Sequence, residues 1–286
     1  MFPRLLAYGR MIKFSHSIFA LPFAFSGMAL AAGVAPVGKG TVLWVVVAMV
    51  GARSAAMGFN RLADRKIDAA NPRTASRELP RGVISPAAVT LFIVASSALL
   101  VYSAWRLNPL CFSLSPVALL IVFFYSYTKR FTWATQFFLG LSLAVAPIGA
   151  WIAATGSLSP GVLLLGGAVL TWVAGFDTIY ACQDIDFDRS HNVYSLPQRF
   201  GIPGALRIAR VLHGTTIIFM AAVGFAFDLG PIYGFGVAVI AAILIYEHRI
   251  VSPDDLMRVT LAFQNLNAVV STLYFAVTLG DLLWPI

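Results

Sequence analysis

The 286-residue chain is 59% hydrophobic and 11% charged, with a mean hydropathy of +0.83. Soluble domains carry about a quarter charged residues, so this composition excludes an ordinary soluble enzyme and predicts an all-α, polytopic membrane protein. The net charge of +8 reflects topology rather than nucleic-acid binding, because basic residues collect in cytoplasmic connections.

The N-terminus, "MFPRLLAYGRMIKFSHS", is basic, but the apolar stretch after it lacks an A-x-A-like site and is expected to stay as a span, not to be cleaved. His16 reads as a polar residue at a helix end. Apolar stretches long enough to cross the hydrocarbon occur at 16–35, 41–60, 86–105, 109–127, 134–154, 160–182, 207–227, 230–247 and 262–284. That predicts nine transmembrane helices around a central cavity. With a cytoplasmic N-terminus, 17 of the 20 Lys and Arg fall on that side, which predicts an N-in, C-out orientation in the cell inner (plasma) membrane. Cys111 and Cys182 have no metal-ligand spacing and read as small packing residues. Asn265 and Asn267, in the last span, suit hydrogen bonds between helices.

The long connections, 61–85 and 184–206, carry the acids and resemble each other: "SRELPRG" at 76–82 echoes "SLPQRFG" at 195–201. The chain therefore reads as a single domain, 1–286, of two pseudo-repeats, about 1–150 and 151–286. On a helix, residues four apart share a face. Asn60, Asp64 and Asp68 then form one stripe, with Arg53 two turns before Asn60. Tyr180, Asp184 and Asp188 form a second, with Asp177 two turns before Asp184. Solvated charges paired with Arg61, Arg65 and Lys66 would account for one such stripe. Two, at matching helix ends, point to a shared task. Carboxylates crowded this way repel unless a hard cation holds them. Mg²⁺ takes one or two carboxylates together with substrate phosphates, and two facing stripes suit Mg²⁺ ions, two in number, bridging a diphosphate. Arg73, Arg77, Lys129, Arg130 and Arg189 would then contact phosphate oxygens directly.

The pair N-x3-D-x3-D and D-x2-Y-x2-Q-D-x3-D, with "RTASRELPRG" (73–82), "YSYTKRFT" (125–132) and "FDTIYACQD" (176–184), resembles the UbiA family of intramembrane aromatic prenyltransferases. The likeness covers nearly the whole chain and is greatest to the 4-hydroxybenzoate polyprenyltransferase branch. One departure stands out. Many members read N-D-x2-D where this chain has Asn60-Arg61, and "NR" resembles a sub-branch of the futalosine menaquinone route that would prenylate a dihydroxynaphthoate. The resemblance implies metal–diphosphate binding by Asn60, Asp64, Asp68, Asp184 and Asp188, and diphosphate contacts from Lys129 and nearby arginines. Tyr180 and Gln183, inside the second motif, join the substrate-binding set. It also implies that an aromatic acid sits near Arg53. Physics adds to this, since a charge at depth in a span needs a partner. A substrate carboxylate and Asp177 are both available to Arg53.

These readings imply Mg²⁺-dependent transfer of a polyprenyl chain from an allylic diphosphate to a small aromatic acid, for ubiquinone or menaquinone synthesis. Asp177 or Asp184 would accept the proton released. Phe59, Tyr125 and Tyr180 would stabilise the allylic cation, and the isoprenoid tail would leave towards lipid. Two alternatives stay open at this point: another acceptor (homogentisate, haem or chlorophyllide), and a divalent-cation transporter. The transporter fits less well, because transport sites lie near the midplane and these acids sit among arginines at one face.

Overall fold

The structure, a computed structural model, describes residues 2–13 and 19–284, with side chains from Ala7 onward in the first helix; His16 lies outside the described residues. The elements are α1 (Phe2–Met11), α2 (Leu21–Ala32), α3 (Lys39–Ala70), α4 (Pro86–Leu107), α5 (Pro109–Thr128), α6 (Thr135–Thr155) and α7 (Pro160–Ala181). A 3₁₀ turn (Cys182–Asp184) leads to α8 (Ile185–Ser190), α9 (Leu196–Ala226), α10 (Pro231–Ile250) and α11 (Val259–Leu261). A π-helical turn (Ala262–Leu266) then joins α12 (Asn267–Leu283). Among the described residues there is no strand, only an isolated bridge between Ser252 and Asp255.

Among the described residues, eight stretches are long and apolar enough to span a bilayer: α3, α4, α5, α6, α7 with α8, α9, α10, and the run from Val259 to Leu283. They coincide with eight of the nine expected spans. The remaining one, expected at 16–35, coincides with α2, an apolar helix of 12 residues.

Two expected boundaries are corrected. The connection drawn at 61–85 starts later, because α3 continues to Ala70. The segment 61–70 holds no Gly or Pro and is rich in Arg, Lys, Leu and Ala, which favour helix. The connection drawn at 184–206 ends earlier, because Ser195 caps α9: its Oγ accepts from the Gln198 N–H at 3.3 Å, and Pro197 sits in the first turn. Gly201, at φ 70° and ψ 167°, kinks this helix where a side chain would be strained.

The chain forms two compact units, 1–17 with 39–127, and 18–38 with 128–286. In the first, α3 packs along α4. The approach depends on Gly51, where a Cβ would lie 2.9 Å from the Leu100 nitrogen and 3.0 Å from the Ser96 carbonyl. Small residues let membrane helices approach this closely. Helix α1 adds Ala7 and Met11 to an apolar cluster with Ile84, Val89 and Ile93. In the second unit, α2, α6, α7, α9, α10 and α12 pack as a closed ring of neighbours. Gly27 of α2 meets the Pro147 carbonyl of α6 with no room for a Cβ.

Candidate active site

The first acid motif keeps the expected helical stripe. Asn60 Nδ2 donates to Asp64 Oδ2 at 2.9 Å and to Ser126 Oγ of α5 at 3.4 Å. Asp64 and Asp68 are 1% and 5% exposed. Arg77 Nη1 donates to Asp68 Oδ1 at 2.7 Å, and Arg61 Nη1 stands 3.9 Å from Oδ2. Oδ2 accepts no hydrogen bond among the described residues. Thr74 Oγ1 donates to the Asp68 carbonyl at 3.0 Å, so the connection after α3 folds back on the motif. Arg73 is exposed, and its backbone N–H reaches Asn71 Oδ1 at 2.9 Å. Phe59 stacks on Phe123, with centroids 4.4 Å apart.

Arginines of α3 also hold the end of α1. Arg53 Nη2 donates to the carbonyls of Lys13, at 3.0 Å, and Ile12, at 3.4 Å. Arg61 Nε donates to the carbonyl of Met11 at 3.2 Å. A helix leaves its last carbonyls without internal donors and carries a partial negative charge there, which is what these guanidinium groups meet. Arg53 Nε is buried and has no partner among the described residues. Lys13 holds a left-handed φ of 46°. Burial, and then Arg61, Arg77 and Arg73, push its ammonium below the usual lysine range.

The second motif departs from expectation. The 3₁₀ turn at Cys182–Asp184 turns about 120° per residue instead of about 100°. Tyr180, Asp184 and Asp188 therefore do not lie on one straight α-helical stripe. Asp188 is buried and accepts from Ser195 Oγ at 2.8 Å. The segment around Ser195 is pinned in turn: Leu196 N–H donates to Gln136 Oε1 at 3.3 Å, and Tyr194 N–H donates to the Lys129 carbonyl at 2.8 Å. Lys129 and Arg130 are half-buried in the link between α5 and α6, and Asp177 and Asp184 are half-buried on their helices. Tyr180 stacks on Phe263 with centroids 4.2 Å apart. Gln183 is exposed, donating to the Tyr180 carbonyl at 3.3 Å, and Arg189 is exposed too.

Residues 20–269 match the model of the UbiA prenyltransferase family. The chain belongs to that family. It is a prenyltransferase. It is 35% identical over 220 residues to the 4-hydroxybenzoate octaprenyltransferase of Vibrio campbellii, covering 76% of each chain. Its fold is similar to that of the apo UbiA homolog from Aeropyrum pernix K1, with a TM-score of 0.85 and 37% identity over 93% of this chain and 98% of that one. A UbiA homolog from Archaeoglobus fulgidus bound to GPP and Mg²⁺ shares the fold at a TM-score of 0.70 and 19% identity, over 95% and 99% of the two chains.

No group of three or more His, Cys, Asp or Glu placed to hold a metal occurs among the described residues of this UbiA chain. Mg²⁺ does not require one, since it binds through one or two carboxylates, waters and substrate phosphates. The hard oxygens of Asn60 and Asp64, and Asp68 Oδ2, which accepts no hydrogen bond among the described residues, suit that chemistry.

The sequence reading missed several residues that shape these clusters. Ser195 and Gln136 are ordinary polar residues with no motif around them. Glu247 carried a signal that went unused, an acid inside an apolar span; it is fully buried. Of the two asparagines of the last span, Asn267 is buried and bonds between helices, whereas Asn265 is exposed. His213 and His248 meet each other at 3.0 Å, and His191 stacks on Phe187. Both cysteines are free thiols.

Proposed function

We infer that this chain transfers a polyprenyl group from an allylic diphosphate to the ring of a small aromatic acid, 4-hydroxybenzoate or a dihydroxynaphthoate. The observation that carries this reading is the 35% identity to a 4-hydroxybenzoate octaprenyltransferase across three quarters of both chains. The buried acid motif among arginines supports it. In this reading Asn60, Asp64, Asp68, Asp184 and Asp188 serve the metal–diphosphate. Mg²⁺, when bound, would neutralise charge on the diphosphate oxygens as a Lewis acid.

The rest of the chemistry belongs to the chain's own groups. Arg73, Arg77, Lys129 and Arg130 grip phosphate oxygens and stabilise the charge that grows there as the allylic C–O bond breaks. Arg77 also holds Asp68 Oδ1 at 2.7 Å, which ties it to the acid motif. Tyr180, with Gln183 beside it, presents a π-face that attracts cationic charge. Arg53, whose buried Nε has no partner among the described residues, supplies a donor for the acceptor's carboxylate. Asp177 or Asp184 takes the proton lost from the ring. The apolar surroundings keep water from the allylic cation.

The same reading places one domain of two pseudo-repeats in the inner membrane, with nine spans, the N-terminus inside and the acid motifs at the cytoplasmic face. The 17 basic residues expected on that side support the orientation.

The test is a product assay in membranes with Mg²⁺ and a polyprenyl diphosphate, offering 4-hydroxybenzoate and a dihydroxynaphthoate separately. Mass spectrometry should find the prenylated ring from one of them. Release of diphosphate with neither acid prenylated would reject the reading.

A further inference from the structure

A chain of buried side chains in the second unit lies outside the chemistry above, yet it ends at Tyr180. Asn267, the first residue of α12, is fully buried. Its amide is held on every side. Trp172 Nε1 of α7 donates to its Oδ1 at 2.7 Å, and its Nδ2 donates to Glu247 Oε1 of α10 at 3.0 Å. The same Nδ2 donates to the carbonyl of Ala262, also at 3.0 Å. Ala262 opens the π-helical turn Ala262–Leu266, so the asparagine bonds the backbone of the irregular turn that precedes it. A π turn fits one extra residue into the helix and is costly unless its surroundings hold it.

Phe263 lies inside that turn. Its ring stacks on Tyr180 at 4.2 Å and meets the edge of Phe176 at 5.4 Å. If the turn relaxed to regular α-helix, the residues on one side would advance by one position, a rotation of about 100°. That rotation takes Phe263 off Tyr180.

We propose that Asn267, fixed by Trp172 and Glu247, is a positioning residue: it holds the π turn that seats Phe263 on Tyr180, and so sets the aromatic face offered to the prenyl donor. The effect on turnover rests on the role of Tyr180 proposed above; the geometric link does not.

The experiment therefore has two readouts. The first places 3-fluorotyrosine at position 180 of the full chain in detergent and records its ¹⁹F signal. Phe263→Ala removes the ring current and moves the signal. Asn267→Leu, similar in volume but without the amide, should move it in the same direction. Asn267→Asp keeps the acceptor for Trp172 and loses both donations, so it should do likewise. Glu247→Gln keeps the Oε1 acceptor and should leave the signal in place. The second readout is kcat/KM for the allylic diphosphate. Asn267→Leu and Phe263→Ala should each lower it ten-fold or more, and the double variant should be no worse than the poorer single one.

An Asn267→Leu or Asn267→Asp signal at the wild-type position overturns the proposal, as do single losses that multiply in the double variant. Should Asn267→Leu fail to fold, Asn267→Asp and Glu247→Gln decide the matter alone. A wild-type chain that prenylates neither acid would sink the functional reading, while the fluorine signal would still answer for the π turn.

Discussion

Replacing Arg53 with alanine tests two roles of one side chain that the geometry keeps separate. Its Nη2 holds the Lys13 carbonyl at 3.0 Å, with a longer contact of 3.4 Å to Ile12. Its Nε, buried, has no partner among the described residues. A hydrogen bond to a charged group contributes about 1.5–3 kcal/mol, and the 3.4 Å contact adds little to it. Arg53→Ala should therefore lose about that much stability and lower the melting temperature. If Nε also binds the acceptor's carboxylate, the acceptor's KM should rise separately by about 10- to 100-fold, since 1.4 kcal/mol is one decade. The donor's KM should stay within about two-fold of wild type. Arg53→Lys should restore part of the stability, since an ammonium reaches one carbonyl. It should restore little of the acceptor binding, because it lacks the planar fork. The assay is steady-state prenyl transfer in detergent, with each substrate varied in turn, beside a thermal melt of each variant. A lower melting point with unchanged acceptor KM would refute the acceptor role and leave Arg53 as a clamp on α1.

Asp64→Ala and Asp184→Ala should each cut turnover with Mg²⁺ by about 100-fold or more while the protein still elutes as a folded species in detergent; near-normal rates in either would reject its place in the metal–diphosphate site. Lys13→Gly should raise the melting temperature, because it relieves a left-handed φ of 46°, worth about 1 kcal/mol. It also removes an ammonium whose pKa is lowered by burial and by Arg61, Arg77 and Arg73. A lowered folded-state pKa means that the charged form costs stability below that pKa, and that the cost fades as pH rises towards the ordinary lysine value. The gain from Lys13→Gly should therefore be greatest at neutral pH and shrink in alkaline melts; a constant gain would leave backbone relief as its sole source. Single cysteines at the exposed Ser76 and Ser157, with Cys111 and Cys182 replaced, should label from opposite sides of the membrane. Labelling from one side would contradict three crossings between them.

The first acid motif was legible because α3 runs unbroken through it: four-residue spacing becomes a stripe only on a regular helix, and nothing between Asn60 and Ala70 breaks one. The second was less so. Its spacing looks the same, but the 3₁₀ turn at Cys182–Asp184 is set by packing, and local propensity carries no trace of it. The depth of Arg53 in a span announced that it needed a partner, yet its observed partners are backbone carbonyls. Every residue has a carbonyl, so composition and spacing cannot single out those of Lys13 and Ile12. The same holds for Asn267, whose polar character was visible while its grip on Ala262 depended on a π turn. Arg61 showed itself as a departure from the family motif. Only the structure ties that departure to both Asp68 and the end of α1.

The carbonyls of Met11, Ile12 and Lys13 leave the ribosome first, and the arginines that bind them follow some 40 to 50 residues later. Helix α1 therefore gains these donors only once α3 has been made. The dependence also runs the other way. A chain lacking residues up to Lys13 would leave Arg53 without the carbonyls of Ile12 and Lys13, and Arg61 without that of Met11, with Asp68 still beside the second guanidinium. Removing this basic segment would thus disturb the acid-motif helix from within, and a tag that pulls α1 from its seat would have the same effect with every residue still present.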